Sequence, residues 1–162
     1  MNYSLSGHQS HKAKSVEWLT PPNIINALGP FDLDPCAPII RPWDTAAHHF
    51  TINDNGLALP WFGRVWCNPP FGKEAATWLS KASKHGNSVV LIPARTETAM
   101  FYDSVWGKAV AVLFIKGRPH FHYPDGSRAP FNSGAPICLV AYGASNLVAL
   151  LNSNLGQVVS TL

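Results

Sequence analysis

Charge is scarce in this chain. Only 13% of its 162 residues are Asp, Glu, Lys or Arg, against 46% apolar residues. That balance excludes a disordered polymer and suits one domain with a hydrophobic core. Cysteine is scarcer still. Cys36, Cys67 and Cys138 are odd in number and far apart, with no C-x-x-C pair, so reduced, buried thiols are expected rather than a zinc site. No apolar run approaches the length of a membrane span, and the opening "MNYSLSGHQSHKAKS" lacks the apolar centre of a secretory signal. A cytoplasmic protein with no membrane partner is expected. The net charge of +3 is compatible with a nucleic acid partner but too weak to establish one. The histidines lack metal-like company: His8 and His11 sit in a polar stretch, His48 and His49 cannot face the same way, and His120 and His122 would share one strand face. No metal is proposed.

What is present is an alternation of strands and helices. Residues 1–15 read as a flexible polar tail and 16–162 as a single domain. In "VEWLTPPNIINALG", Thr20 is a plausible N-cap, the prolines suit a first helical turn, and Gly29 stops the helix. "FDLDPCAP" reads as a short strand ending at a proline. Residues 39–60 read as loop with at most one short element. "RVWCN" is a second strand, "EAATWLSKASKHG" a helix closed by glycine, and "SVVLIP" a strand covered on both faces. "TETAMFYDSVWG" begins a short helix with a capping pattern, and "AVAVLFIKG" and "APICLVAYG" are strands. "RPHFHYPDGSRAPF" contains a turn and predicts a hairpin, and "SNLVALLNSNLG" a terminal helix. The fold class expected is α/β, a mostly parallel sheet with an antiparallel hairpin edge. Trp43, Trp61, Trp66, Trp78 and Trp106 read mostly as core.

Two polar loops follow strands, "DLDPCA" and "CNPPFG", and neighbouring parallel strands would bring both to one sheet edge, where open α/β sheets bind ligands. Two roles suit Asp34: accepting hydrogen bonds from a ligand, or capping the turn before Pro35. "NPPF" is more specific: a match to Asn, Asp or Ser followed by Pro-Pro-aromatic arises by chance in about one chain in two hundred of this length. Two prolines stiffen the loop and aim a carbonyl. An aromatic amine is a poor nucleophile, because its lone pair is delocalised into the ring. If the Asn68 side-chain oxygen and the Pro69 carbonyl accept its two N–H bonds, the nitrogen turns tetrahedral and its lone pair points at an incoming methyl group. The two oxygens then stabilise the developing positive charge. Pro70 completes the rigid loop, and Phe71 offers a face for a flat base, worth about 1–3 kcal/mol.

The series "EWLTPP…FDLDPCA…NDNGLALPW…VWCNPPFG…LIPART…FIKGRPHF…APF", spanning Val16 to Gly143, resembles the phage-type, Dam-like DNA N6-adenine methyltransferases. The resemblance implies a reduced Rossmann-like methyltransferase sheet, S-adenosylmethionine as donor, and adenine in DNA, flipped from the duplex or on a single strand, as acceptor. It also implies a phage or prophage origin, hence a bacterial host cytoplasm. By position it implies donor contacts from Trp18, Thr20, Pro21, Asp34, Pro35, Cys36, Ala37 and Asp54, and catalysis by Asn68, Pro69, Pro70 and Phe71. The chain departs from typical methyltransferases in having "DPCAPIIRP" where a G-x-G turn would let the donor approach closely.

Lys73, Arg95, Lys116 and Arg118 would form a basic rim for DNA phosphates, or are ordinary solvated charges. Phe121 is either a second aromatic wall for an extruded base or a core aromatic of the hairpin. Little chain is left for a target-recognition domain, so a short or relaxed site is expected, read by "APIIRPWDTAAHH" or the hairpin. A monomer is the default. Two rival functions use the same residues: a protein-glutamine methyltransferase, whose amide poses the same electronic problem, and a catalytically degenerate nucleic-acid-binding domain.

Overall fold

Seven strands form one sheet in this computed structural model, which describes residues 17–162. The expected tail, with His8 and His11, lies outside the described residues. In chain order the elements are α1 (Pro22–Leu28), β1 (Leu33–Asp34), β2 (His48–His49), β3 (Val65–Cys67), α2 (Ala75–His85) and β4 (Ser88–Pro93). There follow α3 (Ala99–Ser104), β5 (Ala111–Ile115), β6 (Ile137–Tyr142), α4 (Ala144–Asn152) and β7 (Gly156–Ser160). The strand order is β2-β1-β3-β4-β6-β5-β7. The first four strands are mutually parallel. β6 runs antiparallel between β4 and β5, and β7 runs antiparallel along β5 at the edge.

Alternation along the central strands builds a core on each face of the sheet. Val89 and Leu91 of β4 point to one side with Leu113, Leu139 and Trp66, where α1 and α4 supply Ile24, Leu28 and Leu150. Val90 and Ile92 point to the other with Val112, Val140 and Cys67, against Leu79 of α2 and Phe101 of α3. Every residue of β4 and β6 is buried, as strands covered on both faces require. Gly86 ends α2 in the left-handed region at φ 75°, the ordinary role of glycine after a helix. Among the described residues no helix is long and apolar enough to cross a membrane.

Three expectations need correction. The sheet is not mostly parallel throughout: it is parallel across β2-β1-β3-β4 and antiparallel from β4 to β7. Thr20 does not cap the first helix: the helix starts at Pro22, so Pro21 is the cap and no side chain bonds there, while the Thr20 hydroxyl accepts from the Asn68 amide instead. The antiparallel edge is β7, not the hairpin. Residues 120–129 do turn back on themselves, with Gly126 N–H donating to the Tyr123 carbonyl at 2.8 Å. Their pairing, however, is reduced to a bridge between His122 and Arg128, and His122 also bridges to Leu19 rather than joining the sheet. β7 itself gives no periodic signal, because as an edge strand it is almost wholly exposed.

Leu79→Ala, at a fully buried position, should lower stability by about 2–5 kcal/mol. Val159→Ala, on the edge strand and 41% exposed, should change it by no more than about 0.5 kcal/mol. Chemical denaturation of the two variants beside the wild type measures both.

Candidate active site

Leu33 of β1 pairs in parallel with Val65 of β3. The chain leaves β1 for β2 on one side, whereas it leaves β3 for β4 on the other. Between two such diverging connections a crevice opens beyond the carboxyl ends of the strands. A cavity of about 890 Å³ occupies that place, lined by segments from residues 17–20, 34–38, 41–45, 51–57, 68–71 and 74–78. This is toward the upper end of the roughly 300–1,000 Å³ range of small-molecule pockets.

The strand after which "NPPF" falls is fully buried, so its last residues arrive at the cavity on a rigid support. Asn68 is anchored by its amide nitrogen. Nδ2 donates to the Trp18 carbonyl at 3.3 Å and to the Thr20 hydroxyl at 3.2 Å. With both Nδ2 protons committed, Oδ1 is the free end of the side chain. Neither it nor the Pro69 carbonyl accepts a hydrogen bond among the described residues. Phe71 is 44% exposed at the cavity wall. Behind it, Phe121 is 6% exposed and meets it edge-on, with ring centroids 6.1 Å apart. Phe121 therefore belongs to the core and backs Phe71; it does not line the cavity.

Asp34 caps the turn and also lines the cavity. Its Oδ1 accepts from the Cys36 backbone N–H at 3.0 Å, capping the turn. Its Oδ2 accepts from the Thr45 hydroxyl at 2.5 Å, and the residue lines the cavity. Burial pushes its carboxyl up to about 6, against the opposing pull of the hydrogen bonds from Thr45 and Cys36 and the charge of Arg41. Two carboxylate lone-pair positions remain for a ligand. Cys36 stands beside it, its thiol pushed up to about 12 by burial and by Asp34. It stays protonated at neutral pH and is no nucleophile. Glu17 and Glu74 also line the cavity, as does the Arg41 guanidinium.

Trp18, Thr20, Asp34, Pro35, Cys36 and Ala37 converge on this cavity with Asn68, Pro69, Pro70 and Phe71. Pro21 and Asp54 do not line it. Pro21 faces a second cavity. The Asp54 carboxylate is exposed and accepts from the backbone N–H and hydroxyl of Thr51, at 2.8 and 3.0 Å. That bond shapes the turn which brings Thr51 and Asn55 to the wall. Lys73 and Arg95 are exposed and line neither cavity; Lys116 and Arg118 line the second.

The loop before β2 carries contributions that the sequence did not announce. Trp43 is not core: its indole N–H donates to the Thr20 carbonyl at 3.3 Å while its ring walls the cavity. Trp78, buried on α2, reaches the same wall. Gly56 permits a close approach of two loops: a Cβ there would lie 1.9 Å from the Pro35 carbonyl oxygen. Only glycine lets the loop after β2 rest on the loop after β1. The stretch 39–60 reads as loop with at most one short element, and nothing local says which backbone Gly56 must touch.

Over residues 7–142 the chain matches the family model described as DNA N-6-adenine-methyltransferase (Dam). Neither a curated protein nor a solved structure matches it. The matched span takes in every segment that lines the cavity. The chain belongs to the DNA N-6-adenine-methyltransferase family.

Proposed function

We propose that the chain, in one domain over residues 16–162, transfers a methyl group from S-adenosylmethionine to N6 of adenine in DNA. The observation that carries this reading is the tethered Asn68 amide: its Oδ1 and the neighbouring Pro69 carbonyl, at the end of a buried strand, accept no hydrogen bond among the described residues.

The cavity's chemistry fits the donor. A sulfonium and an ammonium favour a wall carrying three carboxylates and one guanidinium, and the wall's tryptophans suit a flat purine. Asp34, Pro35, Cys36, Ala37, Trp18 and the segment 51–57 would hold it, with Asp34 taking a hydroxyl or ammonium. When bound, S-adenosylmethionine supplies a methyl carbon activated by its sulfonium.

Asn68 Oδ1 and the Pro69 carbonyl accept the two N–H bonds of the adenine amine. They draw the nitrogen out of conjugation, so that its lone pair faces that carbon. Both oxygens stabilise the positive charge that develops on nitrogen. The methylated amine is acidic while cationic and loses its extra proton to water, so no strong base or covalent enzyme intermediate is required. Phe71 stacks on the base, and Phe121 holds the Phe71 ring in place. Thr20 is a positioning residue: it anchors the amide that aims Oδ1. Lys73, Arg95, Lys116 and Arg118 supply positive charge for the DNA backbone. Purified protein, labelled donor and unmethylated plasmid should yield N6-methyladenine in base-resolved sequencing. Label appearing on glutamine of added protein, with none on the plasmid, would overturn the reading.

Asn68→Ala should lower kcat by about 10²–10³-fold or more while leaving donor affinity unchanged by calorimetry. Wild-type turnover in that variant would refute the clamp. Thr20→Val removes one of two anchors and should reduce kcat about tenfold without weakening the donor, whereas Thr20→Ser, which keeps the hydroxyl, should restore it.

Asp34 makes the third test. A cation held by its carboxylate competes with the proton, so donor affinity should fall toward tenfold per pH unit as pH drops through about 6. Stability of the protein alone should run oppositely. A carboxyl raised in the folded state favours folding below its unfolded value. That contribution, about 3 kcal/mol by linkage, is lost as pH rises through about 6. Asp34→Asn should flatten both profiles, read by calorimetry and by denaturation between pH 4 and 7.5.

A further inference from the structure

A second cavity, of about 430 Å³, opens beyond the end of β5 and the start of α1. β5 and β4 both run antiparallel to β6, so this cavity shares the sheet edge on which the first one lies. Its wall carries Lys116, Arg118 and Arg128, with His120 and His122 among them and no carboxylate. Among the described residues the only ion pairs are Arg41–Asp44 and His49–Asp44, so none of the three cations is neutralised.

Arg118 and both imidazoles are held in place, while the Lys116 and Arg128 side chains are exposed. Arg118 Nη1 donates to the Gly134 carbonyl at 3.0 Å, which fixes its guanidinium. His120 Nδ1 lies 3.1 Å from the Ala129 carbonyl, and His122 Nδ1 lies 2.9 Å from that of Gly126. Carbonyls only accept, so each Nδ1 carries the proton and Nε2 is the uncommitted ring nitrogen. Three like charges on one wall with no carboxylate among them favour an anion there.

The two cavities share a wall. Thr20 lines the first and the next residue, Pro21, lines the second. Along residues 120–122 the side chains alternate, as extended backbone requires: the two imidazoles face the second cavity, while Phe121 between them backs the Phe71 ring of the first. A group in one cavity is thus a single thickness of chain from a group in the other.

We propose that the second cavity is a phosphodiester subsite, which holds the DNA backbone beside the base that enters the first. The proposal rests on the adenine-methylation reading. It also divides the basic residues, since Lys116, Arg118 and Arg128 grip one place while Lys73 and Arg95 lie outside it.

The test is anisotropy of a fluorescein-labelled, adenine-containing duplex oligonucleotide titrated with the full chain across a range of salt. Arg128→Gln and Lys116→Gln should each weaken binding several-fold and lower the log K against log salt slope by about 0.9. Arg128→Lys should restore the slope, and Lys108→Gln, outside the cavity, should leave it unchanged. Calorimetry of donor binding reports whether each variant is folded. Slopes unmoved in both glutamine variants would overturn the proposal. So would inorganic pyrophosphate binding that these variants abolish while oligonucleotide binding persists, which would mark a site for free phosphate. If the wild type transfers no methyl group to DNA but the variants still lose the slope, methylation falls and the phosphate subsite stands. If transfer proceeds and the slope does not move, the reverse holds.

Discussion

The parallel pairing of β1 with β3 is the constraint from which the rest follows. It is short, resting on Leu33 against Val65, yet it places two loops with different destinations side by side on one sheet edge. One loop carries Asp34 and Cys36, the other Asn68 to Phe71. Because the chain departs from them in opposite directions, nothing of its own backbone fills the space between. An antiparallel pairing would have sent the two loops to opposite edges, and the same residues would have had no common cavity.

Around that crevice the molecule separates charge. Carboxylates collect in the larger cavity and unpaired cations in the smaller, with only the Thr20–Pro21 step and the strand of His122 between them. On the proposed reading, a cationic donor and a polyanion are thereby directed to neighbouring but different places. The Asn68 tether lies at the boundary. Two hydrogen bonds of this kind contribute only about 1 kcal/mol each to stability, and their importance is directional. They commit the amide nitrogen inward, so the oxygen is left facing the cavity, and loss of the Thr20 hydroxyl would remove the one side-chain anchor of that orientation.

Much of this was legible locally. The uninterrupted apolar run of β4, the glycine-closed α2 and the proline-stiffened loop after β3 each announce themselves within a few residues, because burial on both faces, left-handed backbone and a missing N–H are properties of short segments. The edge strand β7 was not legible, since an exposed strand has no pattern to display and exists only because β5 offers it bonds. Nor was the place of the hairpin, whose His122 answers to Leu19, about a hundred residues earlier. Trp43 and Thr45 sit in a stretch without periodicity and gain their roles from Thr20 and Asp34.

By itself, then, the sequence determined which residue types could capture an amine, and that they would stand at the end of a strand in an α/β fold. Stiffness, hydrogen-bonding capacity and burial preference belong to the residues themselves. The tertiary structure alone decided that Thr20 would orient Asn68 instead of capping a helix, that Gly56 would lie on Pro35, and that the basic residues would part into a cavity and a periphery. Each of those outcomes is a contact between segments far apart in the chain, and direction and distance between such segments are created only when the sheet closes.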